Sequence, residues 1–286
     1  MSKGWWLAIA AFGSVSLLIG AVTVFTWMVD ETHFDRPDER FDRLTAQVAE
    51  VPGVTVDASE RWVEAPIFFE PNARIELSVE EASLPALLDA ACTSPYRDSV
   101  SWSLRVRTEG ANVVAVHSDP EDPHGARGER CPDFGLDVTG LIAHVDRAVP
   151  GLDLRATVWG RDTLALGTAE DVPDPLHDLL PLVAHAEDLR DAAGLHPDRL
   201  VEINAADLIL VIRPGEQERY LELLTRLVEE HGVSSYWADG GGTPSDGVEK
   251  VQIVAPDQEH DEIEDALRAS DLHVADLPVR FIPDNP

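Results

Sequence analysis

Lysine is almost missing: Lys3 and Lys250 are the only two in 286 residues. Arginine carries nearly all the positive charge, and there is little of it. Lys+Arg number 22 against 53 Asp+Glu, for a net charge of −31. Such a chain repels phosphate backbones and anionic headgroups, which excludes nucleic acid as a partner. The acidic residues are spread along the chain rather than gathered in a tail, as a well-solvated surface requires. Cysteine is scarce too. Cys92 and Cys131 are the only pair, and no C-x-x-C occurs, which rules out a zinc knuckle or a thioredoxin-type site.

Catalytic motifs are equally sparse. There is no G-x-S-x-G, no H-E-x-x-H and no histidine pair at i,i+4. His177 and His185 lie about two turns apart on a predicted helix, too far for one metal. Acidic pairs are so numerous that spacing cannot single out a glycosidase dyad. Gly240-Gly241-Gly242 falls between two predicted strands with no Lys-Ser/Thr behind it, so it reads as a hairpin loop rather than a phosphate cradle. Asp119, Glu121 and Asp122, or Asp239 and Asp246, supply hard oxygens without EF-hand spacing. No catalytic residue, metal or cofactor is expected on these grounds.

The two cysteines carry a positive signal. An even pair is what an oxidising compartment leaves, so a Cys92–Cys131 bridge is expected, closing a loop of about 40 residues. The competing reading is two unrelated thiols, with Cys92 a small apolar residue on a helix.

From Gly4 to Val29 no residue is charged. That run is long enough to span a bilayer core of about 30 Å. Trp5 and Trp6 at one end and Trp27 at the other fit the two headgroup levels. A cleaved signal peptide fits less well, because the run is long and Thr26 to Asp30 offers no small-x-small site. A single transmembrane helix over 4–29 is therefore expected. Lys3 favours a short cytoplasmic tail at 1–3, whereas Arg36, Arg40 and Arg43 argue the opposite; a large domain outside the cytoplasm is the expectation.

Beyond a charged linker at 30–40, one pattern recurs. An amphipathic helix ends at Pro52-Gly53, again at Pro150-Gly151 and again at His231-Gly232. Two strands follow, then a second helix, then more strand. The second helix is expected over about 84–92, 176–193 and 259–269. This gives tandem α-β-β-α-β modules at 41–118, 136–206 and 207–286, with a linker at 119–135. The stretch from Ile209 to Ile282 reads β-α-β-β-α-β, similar in layout to a ferredoxin-like sandwich, so the expected fold class is α+β. Trp102, Trp159 and Trp237 fall in strands and read as core. Trp62, Ile67, Phe68 and Phe69 form an apolar stretch that is a candidate partner surface, if it is not core itself.

The expected function is a single-pass membrane-anchored protein with an acidic extracytoplasmic region and a non-catalytic role in envelope interaction or assembly. Its partners would be the membrane, through the N-terminal helix, and a protein or a second copy of itself. The alternative is a membrane-tethered hydrolase acting on envelope material.

Overall fold

The computed structural model describes residues 33–64, 67–118, 131–159, 163–168, 175–238 and 248–283. In chain order the elements are β1 (His33–Asp35), α1 (Glu39–Ala49), β2 (Val54–Glu64), β3 (Ile67–Glu80), α2 (Leu84–Thr93), β4 (Ser101–Arg107) and β5 (Val113–Ser118). Then come α3 (Val138–Ala148), β6 (Asp153–Trp159), β7 (Thr163–Thr168), α4 (Leu176–Ala184), α5 (Ala186–Ala192), β8 (Leu200–Asn204) and β9 (Leu208–Ile212). The last are α6 (Gln217–His231), β10 (Ser235–Ala238), β11 (Val251–Val254), α7 (His260–Arg268) and β12 (Val279–Phe281).

All twelve strands form one mixed sheet, in the order of the chain. Its unit is an antiparallel hairpin followed by a helix. The hairpins are β2–β3, β4–β5, β6–β7, β8–β9 and β10–β11. Each hands on to the next strand through a parallel joint: β3–β4, β5–β6, β7–β8, β9–β10 and β11–β12. A parallel joint needs a crossover, and each here contains a helix. The helices share one face of the sheet, where α1 packs on α2, α3 on α5, and α4 and α7 on α6.

Period-2 alternation in the strands meets that helical layer. Leu77, Leu104, Val116, Ala156, Leu166, Ile203 and Leu210 are register partners in succession from β3 to β9, and all are buried. They share one continuous core with helix residues such as Leu44, Leu87, Leu141, Leu182, Leu224 and Ile263. Of the three glycines expected to end helices, Gly232 is the left-handed cap of α6, whereas Gly53 and Gly151 lie in the turns beyond the caps of α1 and α3. Gly53, Gly151 and Gly232 have φ of 79°, 84° and 63°, where a Cβ would be strained.

This architecture corrects the expected fold. Separate modules do not stand in tandem, because β5–β6 and β8–β9 join their sheets edge to edge. The ferredoxin-like layout over 209–282 also fails. That sandwich splits its βαβ units with an intervening strand in an antiparallel sheet, whereas β9 and β10 are direct parallel neighbours. Most of the element order read from the sequence holds, but β1 lies in the stretch expected to be a linker and the helix expected over 176–193 is two; the pairing of strands between hairpins was invisible to it. A membrane-spanning helix forms no part of this architecture either. No helix among the described residues is long and apolar enough to cross a membrane, and the run at 4–29 lies outside them.

The helix expected over 176–193 is broken at His185, after a proline at position 181 inside α4. Gln217 bridges the break. Its side-chain Oε1 accepts from Glu187 N at 2.6 Å, and its Nε2 donates to Ala184 O at 2.8 Å. One amide thus satisfies a backbone acceptor and a backbone donor that the break orphans. Gln217→Ala is expected to cost about 1–3 kcal/mol, read as a lower denaturant midpoint with an unchanged slope. A change within experimental error would show that water replaces the amide.

Candidate functional site

The face opposite the helices is where side chains remain open. Ser78, Arg105, Ala115, Arg155, Gly167, Asn204, Ile209, Trp237, Gln252 and Arg280 are successive register partners from β3 to β12. None of them is buried. At about 4.8 Å per strand the row runs for roughly 43 Å. Its character changes along the way. Arg105 and Arg155 stand over the small Ala115 and Gly167 on one half, while Ile209 and Trp237 make the other half apolar.

Trp237 corrects its expected place in the core. It faces outward, half-buried, and its indole N–H donates to Ala206 O at 2.9 Å. Trp102 is in the core at 5% exposure. The side chain of Trp159 lies outside the described residues.

At one end of this face a groove of about 500 Å³ opens across β2 to β5. Its polar walls are Thr55, Asp57, Ser78, Glu80, Arg105 and Arg107. A register shift between Val56 and Ala58 leaves Asp57 without a cross-strand mate. Such a bulge re-aims its side chain, and the Ser78 hydroxyl donates to Asp57 Oδ2 at 2.6 Å. Arg105 and Arg107 alternate with buried Leu104 and Val106, so both guanidiniums point out of the sheet. Arg107 Nη1 lies 3.3 Å from Glu80 Oε1, and Arg105 Nη2 lies 3.9 Å from Asp153 Oδ2. Their side chains are 69% and 62% exposed, so these pairs hold them weakly.

The sequence reading missed these residues, although it contained their signal. Ser103-Leu104-Arg105-Val106-Arg107 reads as an alternating strand, and in a chain with so little positive charge two arginines on one strand face stand out. What it could not show is that β2 and β3 bring Asp57, Ser78 and Glu80 alongside.

The residues it did single out are placed elsewhere. Cys92 at the end of α2 and Cys131 ahead of α3 form a disulfide, with Cα atoms 4.3 Å apart. Trp62 lies half-buried in β2, its indole N–H donating to Glu64 Oε1 at 3.1 Å. Ile67, Phe68 and Phe69 belong to β3, and their side chains lie outside the described residues, as do Gly240 to Gly242 and the loop acids Asp119, Glu121, Asp122, Asp239 and Asp246. Among the described residues no cluster of His, Cys, Asp and Glu could hold a metal ion.

Three polar clusters elsewhere fasten elements together. Arg61, with a side chain 9% exposed, donates to Tyr96 Oη, Asp98 Oδ2 and Arg36 O, tying β2 to the segments before α1 and after α2. Nearby, hydrogen bonds from the Arg40 side chain and backbone hold the Asp38 carboxyl at about 2. On the other side of the molecule, Glu216 is buried ahead of α6. It accepts from the His273 backbone N–H at 3.0 Å and lies 2.7 Å from His273 Nδ1. The neighbouring Tyr220 and Tyr236 hydroxyls are buried without a partner among the described residues, and burial pushes both upward. Removing an unsatisfied hydroxyl costs no hydrogen bond. Tyr236→Phe should leave stability unchanged or raise it by about 1 kcal/mol in a urea titration. A loss of that size would reveal an ordered water on the hydroxyl.

On the open face Glu202 sits between Ala165 and Val211, both 5% exposed. Partial burial raises its carboxyl above the ordinary range, opposed by a hydrogen bond from Asn204. A raised carboxyl makes ionisation costlier in the fold than in the unfolded chain. That cost is absent below the unfolded value and grows as pH rises through the folded one. Glu202→Gln should therefore raise the melting temperature at pH 7 and lose that advantage at pH 4. Equal shifts at both pH values would assign the effect to something other than ionisation.

In comparisons with known proteins, no family model, curated protein or solved structure matches this chain.

Proposed function

We propose that the chain is a non-catalytic binding protein that works outside the cytoplasm and meets its partner through the open face of the sheet. The observation that carries this reading is the outward row. Ten register partners run from β3 to β12 without one buried residue, while the opposite face is covered by helices and holds the core. A rigid, helix-backed platform of this kind positions side chains for recognition better than a loop does. The Cys92–Cys131 disulfide supports the compartment, since such bonds persist where the surroundings are oxidising.

A photo-crosslinking side chain placed at Ala115, on the open face, is compared in intact cells with one at Glu222 on α6. Discrete adducts from position 115 and none from 222 are the expected result. Adducts from 222 alone, or none from either, would remove the binding reading. Rapid alkylation of Cys92 and Cys131 in freshly opened cells, without reductant, would remove the compartment.

A further inference from the structure

The groove at β2 to β5 has a charge balance unlike the rest of the molecule. Its walls carry two arginines, Arg105 and Arg107, and two carboxylates, Asp57 and Glu80. It is neutral in a chain whose net charge is −31. Glu80 pairs with Arg107, but Asp57 stands apart: both arginines come from β4, whereas Asp57 comes from β2, two strands away, at roughly 10 Å.

Much of this hydrogen-bonding capacity is unused. Among the described residues the Arg105 guanidinium donates no hydrogen bond, and that of Arg107 donates one, to Glu80. Two guanidiniums at i and i+2 on one strand face thus keep unused N–H donors of the kind a carboxylate accepts from. On the far wall Asp57 is held by Ser78 and keeps free lone pairs for a cation. The volume, about 500 Å³, suits a small ligand or the end of a chain.

We infer that this groove binds a zwitterionic ligand, its carboxylate on Arg105 and Arg107 and its ammonium on Asp57. This rests on the reading of the open face as a binding surface and names the chemistry that one part of it recognises. Electrostatics decide between this ligand and a simple anion. An anion must approach against the field of a strongly negative molecule, and Asp57 and Glu80 would repel it inside the groove. A ligand with no net charge escapes the first cost and turns the second into an attraction. Free amino acids, short peptides and chain ends belong to this class.

The probes are 6-aminohexanoate, which carries both charges with a flexible span between them, hexanoate, hexylammonium and inorganic phosphate. Each is titrated calorimetrically into the purified full chain. Saturable binding of 6-aminohexanoate is expected, with a dissociation constant on the order of millimolar, and at least about tenfold weaker binding of the other three. Arg105→Gln and Arg107→Gln should each weaken 6-aminohexanoate about tenfold, while Asn204→Ala, farther along the same row, should not. A thermal melt checks that each variant folds, and the comparison among probes needs no variant. Equal binding of phosphate or hexanoate, no saturation by 6-aminohexanoate, or indifference to both arginine substitutions would overturn the inference. Crosslinking at position 115 is read separately: adducts without groove binding would sink only the ligand assignment.

Discussion

Cys92→Ser should lower the unfolding free energy by about 4 kcal/mol, the largest effect expected of any single substitution outside the core. The bridge closes a loop of 39 residues, and in the chain-entropy account a loop of that length contributes about that much. Its position explains why little else would compensate. Cys92 ends α2, where Thr93 hydrogen-bonds back to Asp89 O and Gln47 of α1 donates to Ala90 O at 3.0 Å. These contacts hold α2 to α1. The bridge adds a covalent tie from α2 to the segment ahead of α3, across the β4–β5 hairpin. Cys131→Ser should cost the same, and the double variant no more than either single one, because the same bond is lost. Chemical denaturation with and without reductant measures this. A drop below about 1 kcal/mol, or a double variant twice as unstable, would show that the bond does not constrain the unfolded chain in this way.

Asp146→Ala is expected to cost about 3 kcal/mol by another route. The turn between β4 and β5 folds back on α3, and Asp146 of α3 is its receptor. The carboxylate accepts from the Thr108 hydroxyl, from Gly110 N at 2.6 Å and from Asn112 Nδ2 at 2.9 Å. Asn112 is fully buried, and its Oδ1 accepts from Leu152 N at 2.7 Å. Ala111 beside it takes a left-handed conformation, with φ of 67°. Without the carboxylate, the buried amide of Asn112 and the Thr108 hydroxyl lose a partner, and each unsatisfied group costs about 1–3 kcal/mol. Asn112→Ala should be similarly damaging. The double variant should fall short of the sum, since the two residues share one network. Full additivity in a double-mutant cycle would mean that the network does not act as a unit.

Much of the element order could be read from the sequence because period-2 and period-3.6 patterns are local. Phe41, Leu44 and Val48 gave a helix face, and all three are buried. Ser103 to Arg107 gave an alternating strand, and its burial alternates. Pairing between units was not readable. Whether β5 lies beside β6 depends on where α3 packs, and no residue of either strand states its neighbour. The same limit hid the groove, whose polar walls come from β2, β3 and β4. Trp237 misled for a related reason: an aromatic in a strand says nothing about which face it occupies when both neighbours, Tyr236 and Ala238, are themselves buried. The break at His185 did leave a trace in Pro181, but a proline in a helical run does not say where the chain will turn.

Because the strands lie in the order in which they are made, each one's first partner is already present when it emerges. No strand must wait for a distant segment, so contact order is low for a sheet this wide, and closure entropy is met in small steps. A chain delivered N-terminus first can add hairpin to hairpin as it appears, exposing only its newest edge to aggregation at any moment.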